Sequence, residues 1–181
     1  MQQTLSGVRT TIDEFLLQAK RCAQKGHAEA ALLTVFPVIM CVSEAIGGGE
    51  TLGTRGLFQA FVREMNDWSS WIIPPTSGTF SEGAIAEKLA DLRNALTHEL
   101  SKPSGILWLQ RTAYARDLFP DGHPEWYLLG VVEFIAAVKK TVDKLIQSHP
   151  DATFDPKPRS PDRQVGKLYL ISPPRNRESN G

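Results

Sequence analysis

The stretch Ala28–Ile46 constrains the fold of this chain more than any other part of its sequence. Its apolar side chains fall on every face of a helix, at Leu32, Leu33, Val35, Phe36, Val38, Ile39, Met40 and Val42. A helix that is apolar all round must be covered all round. In a chain of 181 residues we therefore expect either a central core helix or a helix shared with a partner subunit. Glu29, Pro37 and Glu44 interrupt the run, which favours a buried helix over a membrane span.

Four further segments show apolar residues at helical spacing, so we predict an all-α fold. They cover residues 4–24, 54–68, 82–100 and 124–147, and Pro124 suits the first turn of the last one. Residues 106–110 and 167–171 have strand-like composition and are predicted to pair as a small β-ribbon. The expected architecture is a helical bundle of four to five helices over residues 1–148, followed by a Pro-rich tail over residues 149–181.

Charge and cysteine content narrow the classes of function. Twenty basic and twenty acidic residues give a formal net charge of zero, so the chain lacks the global positive field of a dedicated nucleic-acid binder. A local RNA contact needs only a local cluster of positive charge, and no segment resembles a DNA-reading motif. Cys22 and Cys41 lie in apolar helical patterns, which favours small buried side chains over a disulfide or a zinc site. Without a signal-peptide pattern, we expect a cytoplasmic protein.

The predicted helix over residues 82–100 carries the candidate chemistry. Its apolar stripe comprises Ile85, Leu89, Leu92, Leu96 and Leu100, and the opposite face comprises Glu87, Asp91, Asn94 and His98. Arg93 lies between the two faces, about 140° from His98 on a straight α-helix, so its long side chain could reach round but the two groups are not expected to stack on one straight helix. A polar stripe on a surface helix and a histidine near a helix C-terminus are also ordinary structural features. Spacing alone therefore does not assign a function.

The string from Leu92 to His98 resembles the Arg-polar-x-x-x-His motif of the HEPN superfamily, the higher eukaryote and prokaryote nucleotide-binding domains. The resemblance covers helix number and order over residues 4–147, whereas the likeness in sequence is confined to the motif. It implies an all-helical bundle and, as in many members, a metal-independent endoribonuclease of a toxin–antitoxin or other defence system. It also implies catalytic residues: His98 transfers protons, Arg93 holds the phosphate, and Asn94 orients His98 or the phosphate. No cofactor and no metal are expected.

The same resemblance implies a partner and leaves an alternative open. In similar proteins two protomers pair so that both motifs line one cleft, and residues that diverge on one helix can converge across a two-fold axis. We therefore expect a homodimer that acts on RNA, with an antitoxin or another protein as a further partner and no membrane association. Some members keep the fold without activity, so the alternative is a catalytically silent helical module that binds a protein partner or a nucleotide. The intact trio of Arg93, Asn94 and His98 favours the enzyme, whereas the zero net charge favours the module.

The other chemistry-bearing residues are assigned structural roles. His27, His123 and His149 lie near glycine or proline and are expected at the surface. The four tryptophans are expected in the core or at an interface rather than as stacking platforms for bases. A third hypothesis is a regulator that binds a small molecule between its helices. Such a regulator would need a DNA-binding helix through which to act, and the sequence shows no recognisable one.

Overall fold

The computed structural model describes residues 2–47, 52–99 and 105–154. Within these ranges the chain is mostly helical, as predicted, with a small sheet. The helices are α1 (Arg9–Gln24), α2 (Ala28–Ile46), α3 (Thr54–Glu64), α4 (Glu82–Asn94), α5 (Thr112–Leu118) and α6 (Val131–Ser148). The strands are β1 (Gln3–Thr4), β2 (Ile72–Ile73), β3 (Ile106–Leu109), β4 (Tyr127–Gly130) and β5 (Thr153–Phe154).

Helix α2 is the central helix of the core and has the predicted bounds. It packs against α1, α3 and α6, and Phe36 meets Phe58 of α3 edge to face, with ring centroids 5.5 Å apart. Leu33 is the large apolar side chain of α2 that remains exposed. In the described part of the chain, α2 is the one helix long and apolar enough to cross a membrane, and 56% of that window is buried inside the fold. Because one chain already covers α2, its apolar surface does not require a partner subunit.

The sheet changes two predictions at the C-terminal half of the chain. The last long helix begins at Val131 and not at Pro124, because the buried residues Tyr127–Gly130 form β4. Strand β3 forms within residues 106–110 as predicted, but it pairs in parallel with β4, which in turn pairs antiparallel with β2. The predicted partner of β3, residues 167–171, lies outside the described residues.

The ends of the other helices also differ from the predicted spans. Helix α1 begins at Arg9 because Gln3–Thr4 pairs with Thr153–Phe154 as an antiparallel ribbon. Helix α3 ends at Glu64, and a short 3-10 turn follows at Trp68–Ser70. Helix α5 was not predicted. Its first residue, Thr112, donates its backbone N–H to Glu133 of α6 over 3.0 Å and its hydroxyl to the Ser70 carbonyl over 3.0 Å.

A candidate active site at the end of the fourth helix

The N-terminal part of α4 is a regular, well-anchored helix. The Ser81 hydroxyl caps it by accepting the backbone N–H of Ala84 at 3.3 Å. Ion pairs tie α4 to α3, with Arg55 on Glu87 at 3.0 Å and Arg63 on Glu82 at 3.4 Å. The predicted apolar stripe is buried at Ile85, Leu89 and Leu92 and half-buried at Leu96, and Leu100 lies outside the described residues. The bundle therefore holds the C-terminal end of α4 in a defined place.

The α-helical geometry ends at Asn94, and Ala95–Glu99 forms a π-helical turn. In such a turn i→i+5 hydrogen bonds replace the i→i+4 bonds of the α-helix, so the helix is wider. Residues five apart are then separated by a smaller angle than the roughly 140° of the α-helix. Single π turns inside α-helices are frequent at functional sites.

This wider turn brings the predicted trio together within one chain. Nη1 of Arg93 donates to Oδ1 of Asn94 at 3.0 Å and lies 3.3 Å from Nε2 of His98. A guanidinium has only donors, so a hydrogen bond here makes Nε2 of a neutral ring the acceptor and assigns the ring proton to Nδ1. The expectation that Arg93 and His98 diverge on one helix is therefore wrong, because it assumed straight α-helical geometry through residue 98.

The three side chains differ in their access to solvent. Arg93 is 8% exposed, Asn94 is half-buried, and His98 is exposed. A buried cation is stable only where polar groups replace its lost water, and the Asn94 amide and the His98 imidazole provide such groups. The arrangement fixes the guanidinium at the base of the site and holds the imidazole above it, within reach of a ligand from solvent.

Thr97 ties the backbone of the same turn together. Its hydroxyl donates to the carbonyl of Arg93 over 2.8 Å and lies 3.4 Å from the carbonyl of Asn94. The sequence reasoning did not select Thr97, because a threonine one position before a histidine carries no signal without the helix geometry. On the polar face that was predicted, Glu87 is engaged by Arg55 and Asp91 is half-buried.

Tyr127 is a titratable group beside α4 that the sequence reasoning did not select. Its hydroxyl donates to the carbonyl of Thr79. Burial raises the pKa of Tyr127, and the nearby Glu87 carboxylate raises it further, because both disfavour the phenolate. This links the polar face of α4 to strand β4.

Two grooves of the described chain lie away from the trio. One, of about 470 Å³, runs between the end of α3 and α6, where Glu64 and Asp67 face Lys140 and Lys144. The other, of about 420 Å³, lies between the C-terminal end of α2 and α6. Arg93, Asn94 and His98 line neither of them. Among the described residues, the trio thus joins a buried guanidinium to an exposed imidazole, apart from both grooves.

The remaining histidines and cysteines have structural settings. His27 and His149 are exposed as predicted, whereas His123 is half-buried and stacks on Trp126 with ring centroids 4.5 Å apart. Nδ1 of His123 accepts the backbone N–H groups of Glu125 and Trp126, which orders that loop. Both cysteines are free thiols, and burial, with a contribution from Glu44, raises the pKa of Cys41 to about 12.

No metal centre accompanies these groups in the part of the chain that the structure describes, since no three His, Cys, Asp or Glu side chains cluster as ligands there. No family model, curated protein or solved structure matches this chain. The geometry of Arg93, Asn94 and His98 and the resemblance of their motif to the HEPN motif are therefore the two features that bear on function.

Proposed function

We propose that this chain is a metal-independent endoribonuclease of HEPN type, a cytoplasmic homodimer of a toxin or other defence system. The observation that carries the proposal is the contact of Arg93 with both Asn94 and His98 at the π turn. These are the three residues that the motif singles out, and they meet although α-helical spacing would separate two of them. The mostly helical architecture supports the proposed fold class.

The residues match the needs of RNA cleavage. RNA carries its own nucleophile, the 2′-hydroxyl, so the protein must supply a base, an acid and positive charge at the phosphate. Arg93 supplies the charge through a planar fork of donors that suits phosphate oxygens. When a phosphate oxygen replaces Nε2 of His98 as the acceptor of Nη1, that nitrogen becomes free to take the proton of the 2′-hydroxyl.

The bond changes then balance without an added reagent. The 2′-oxygen gives its proton to Nε2 of one His98 and bonds to phosphorus, the bond from phosphorus to the 5′-oxygen breaks, and the leaving oxygen takes a proton from the imidazolium form of His98 in the second copy of the chain. The first ring ends as the imidazolium and the second as the neutral imidazole. The products are a 2′,3′-cyclic phosphate and a free 5′-hydroxyl. One imidazole acts as base and the other as acid, which explains why the reaction uses two copies of one motif.

The open position of the trio supports a dimer of a particular kind. A site of this chemistry works best where water is excluded, and neither of the two grooves found among the described residues includes His98. A second copy packed over the π turn would form the cleft and place the two trios opposite each other. Because α2 is covered within its own chain, we place the dimer surface at the π turn and not on α2.

The test is a cleavage assay on mixed RNA in the presence of EDTA. Wild-type protein should produce 2′,3′-cyclic phosphate ends, and His98→Ala should produce none. The free energy of unfolding should change by less than about 0.5 kcal/mol, because His98 is exposed. His27→Ala is the matched control, since His27 is an exposed histidine at the start of α2, and it should cleave as wild type does. Cleavage that persists unchanged in His98→Ala would exclude this site.

The second candidate is a catalytically silent module that binds a protein partner or a nucleotide. The burial of Arg93 favours this module, because a guanidinium that is 8% exposed can stabilise the structure of a binding surface as well as it can bind a phosphate. The zero net charge is consistent with it. Absence of cleavage by pure wild-type protein on every RNA offered, together with stable capture of an antitoxin-like protein, would select the module.

A further inference from the structure

We propose that Thr97 is the positioning residue of the site: its hydroxyl opens the helix at Arg93 and so sets His98 against the guanidinium. The inference deepens the proposed function, but it concerns the geometry of the trio and can be tested without any RNA. Thr97 need not touch a substrate, because it acts through the helix backbone.

The evidence lies in the hydrogen bonds of the turn. The Thr97 hydroxyl donates a hydrogen bond to the carbonyl of Arg93 over 2.8 Å. This bond lies where α-helical geometry gives way to the π turn. A side-chain hydroxyl that bonds the carbonyl four residues earlier competes with the backbone ladder and bends or opens the helix. The carbonyl involved belongs to Arg93 itself, so the opening falls between the two side chains that meet.

The same type of bond occurs elsewhere in the chain without a π turn, and the comparison shows what is special at Thr97. Thr34, Ser43 and Thr141 bond the carbonyl four residues earlier inside α2 and α6, where all three are buried and the flanking turns are held by the core. Ser148 does so at the last residue of α6, where no further turn of that helix follows. Thr97 combines the bond with an exposed position inside a turn of π geometry.

Removal of the hydroxyl should return the turn to α-helical geometry. Arg93 and His98 would then lie about 140° apart, and Nε2 of His98 would lose the Arg93 donor. A neutral imidazole without such a donor prefers its proton on Nε2 in water. The tautomer of His98 is therefore a direct reporter of the turn.

The experiment measures the ring nitrogen shifts of His98 by NMR on the full chain, at a pH well above the ordinary titration range of histidine. His98→Ala assigns the signals. Wild type and Thr97→Ser should show the proton on Nδ1, whereas Thr97→Val, which has the same shape without the hydroxyl, should show it mainly on Nε2. Ser148→Ala removes an equivalent exposed bond in α6 and should leave the His98 signals unchanged.

Cleavage provides a second readout, in which Thr97→Val should lose about 100-fold, the cost of a misplaced catalytic group, and Thr97→Ser should retain activity. If wild type cleaves no RNA but Thr97→Val still changes the tautomer, the proposed function fails and the positioning role of Thr97 stands. If Thr97→Val keeps the wild-type tautomer, the role of Thr97 is overturned whatever the activity. Thr97→Ala provides a second hydroxyl-free variant should Thr97→Val fold poorly.

Discussion

The two ends of α4 use polar residues in opposite ways. At the N-terminal end, Ser81 caps the helix, and Glu82 and Glu87 form ion pairs with arginines of α3 at the protein surface. At the C-terminal end, a nearly buried arginine gathers an amide and an imidazole around one nitrogen atom. The first arrangement stabilises a helix and its packing. The second holds a cation and a proton carrier in contact.

The difference shows how a structural polar cluster can be told from a candidate functional one. Exposed pairs of opposite charge satisfy each other, and each is worth at most about 1 kcal/mol. At the π turn, Arg93 contacts an amide and an imidazole, and the imidazole is exposed. Variants at the N-terminal end of α4 should therefore change stability alone, whereas variants in the trio should remove activity.

The largest expected effect comes from Arg93→Ala. We expect cleavage to be lost and the free energy of unfolding to fall by about 1–3 kcal/mol, because the change leaves polar partners of the guanidinium unsatisfied and removes a packed stem. RNA cleavage in EDTA and urea denaturation measure the two effects. Arg55→Ala is the control at the N-terminal end of α4, since it removes the ion-pair partner of Glu87. It should lower the free energy of unfolding by less than about 1 kcal/mol and retain cleavage. Equal effects of the two variants would contradict the distinction between the two ends.

An intermediate effect is expected from Ser81→Ala. Loss of the cap leaves the Ala84 N–H without its side-chain acceptor and should lower the free energy of unfolding by about 1 kcal/mol, with cleavage preserved. Thermal and urea unfolding provide the measurement. Ser81→Asn, which retains a capping oxygen, should recover most of the loss. A Ser81→Ala protein that folds but no longer cleaves would show that the two ends of α4 are coupled.

The smallest expected effect is electrostatic and concerns Glu87 and Tyr127. Glu87→Gln should lower the pKa of Tyr127, which should still remain above its ordinary value because burial is the larger cause. A raised phenol pKa means that the folded state holds the proton more tightly than the unfolded state. The associated stability is therefore present below about pH 10 and is lost as the pH rises through the folded pKa. Tyrosinate absorbance during an alkaline titration gives the pKa, and Tyr127→Phe identifies the signal. An unchanged titration in Glu87→Gln would show that burial acts alone.

The long helices could be predicted because their apolar spacing is regular and their ends are marked. Helix α2 matches its predicted bounds, since its apolar run stops at a glycine. The start of α6 could not be predicted in this way. Tyr127–Gly130 is buried at every position, and a short apolar run in front of a helical pattern cannot be told from the helix itself by periodicity. Its strand geometry depends on β2 and β3, which lie far away in sequence.

In the candidate site, too, one part could be predicted from the sequence and another could not. The identities of Arg93, Asn94 and His98 could be selected from sequence, because the motif names them. Their contact could not, because the arithmetic of 100° per residue assumes i→i+4 bonding throughout. The π turn depends on a local competition for backbone carbonyls, in which the hydroxyl of Thr97 takes part, and no periodicity of apolar residues reports that competition.

The π turn also links the length of the motif to the width of the helix that carries it. Arg93 and His98 are five positions apart and meet where the turn is widened, whereas residues four apart meet on an ordinary α-helix. Loss of one codon between them would shorten the spacing to four, at which the two side chains meet on an ordinary α-helix. Gain of one codon would give a spacing that suits neither the α-helix nor the π turn. A descendant of this chain that keeps the contact must therefore inherit spacing and helix width together, and an alignment that slides a gap into this segment changes the geometry of the site and not only its length.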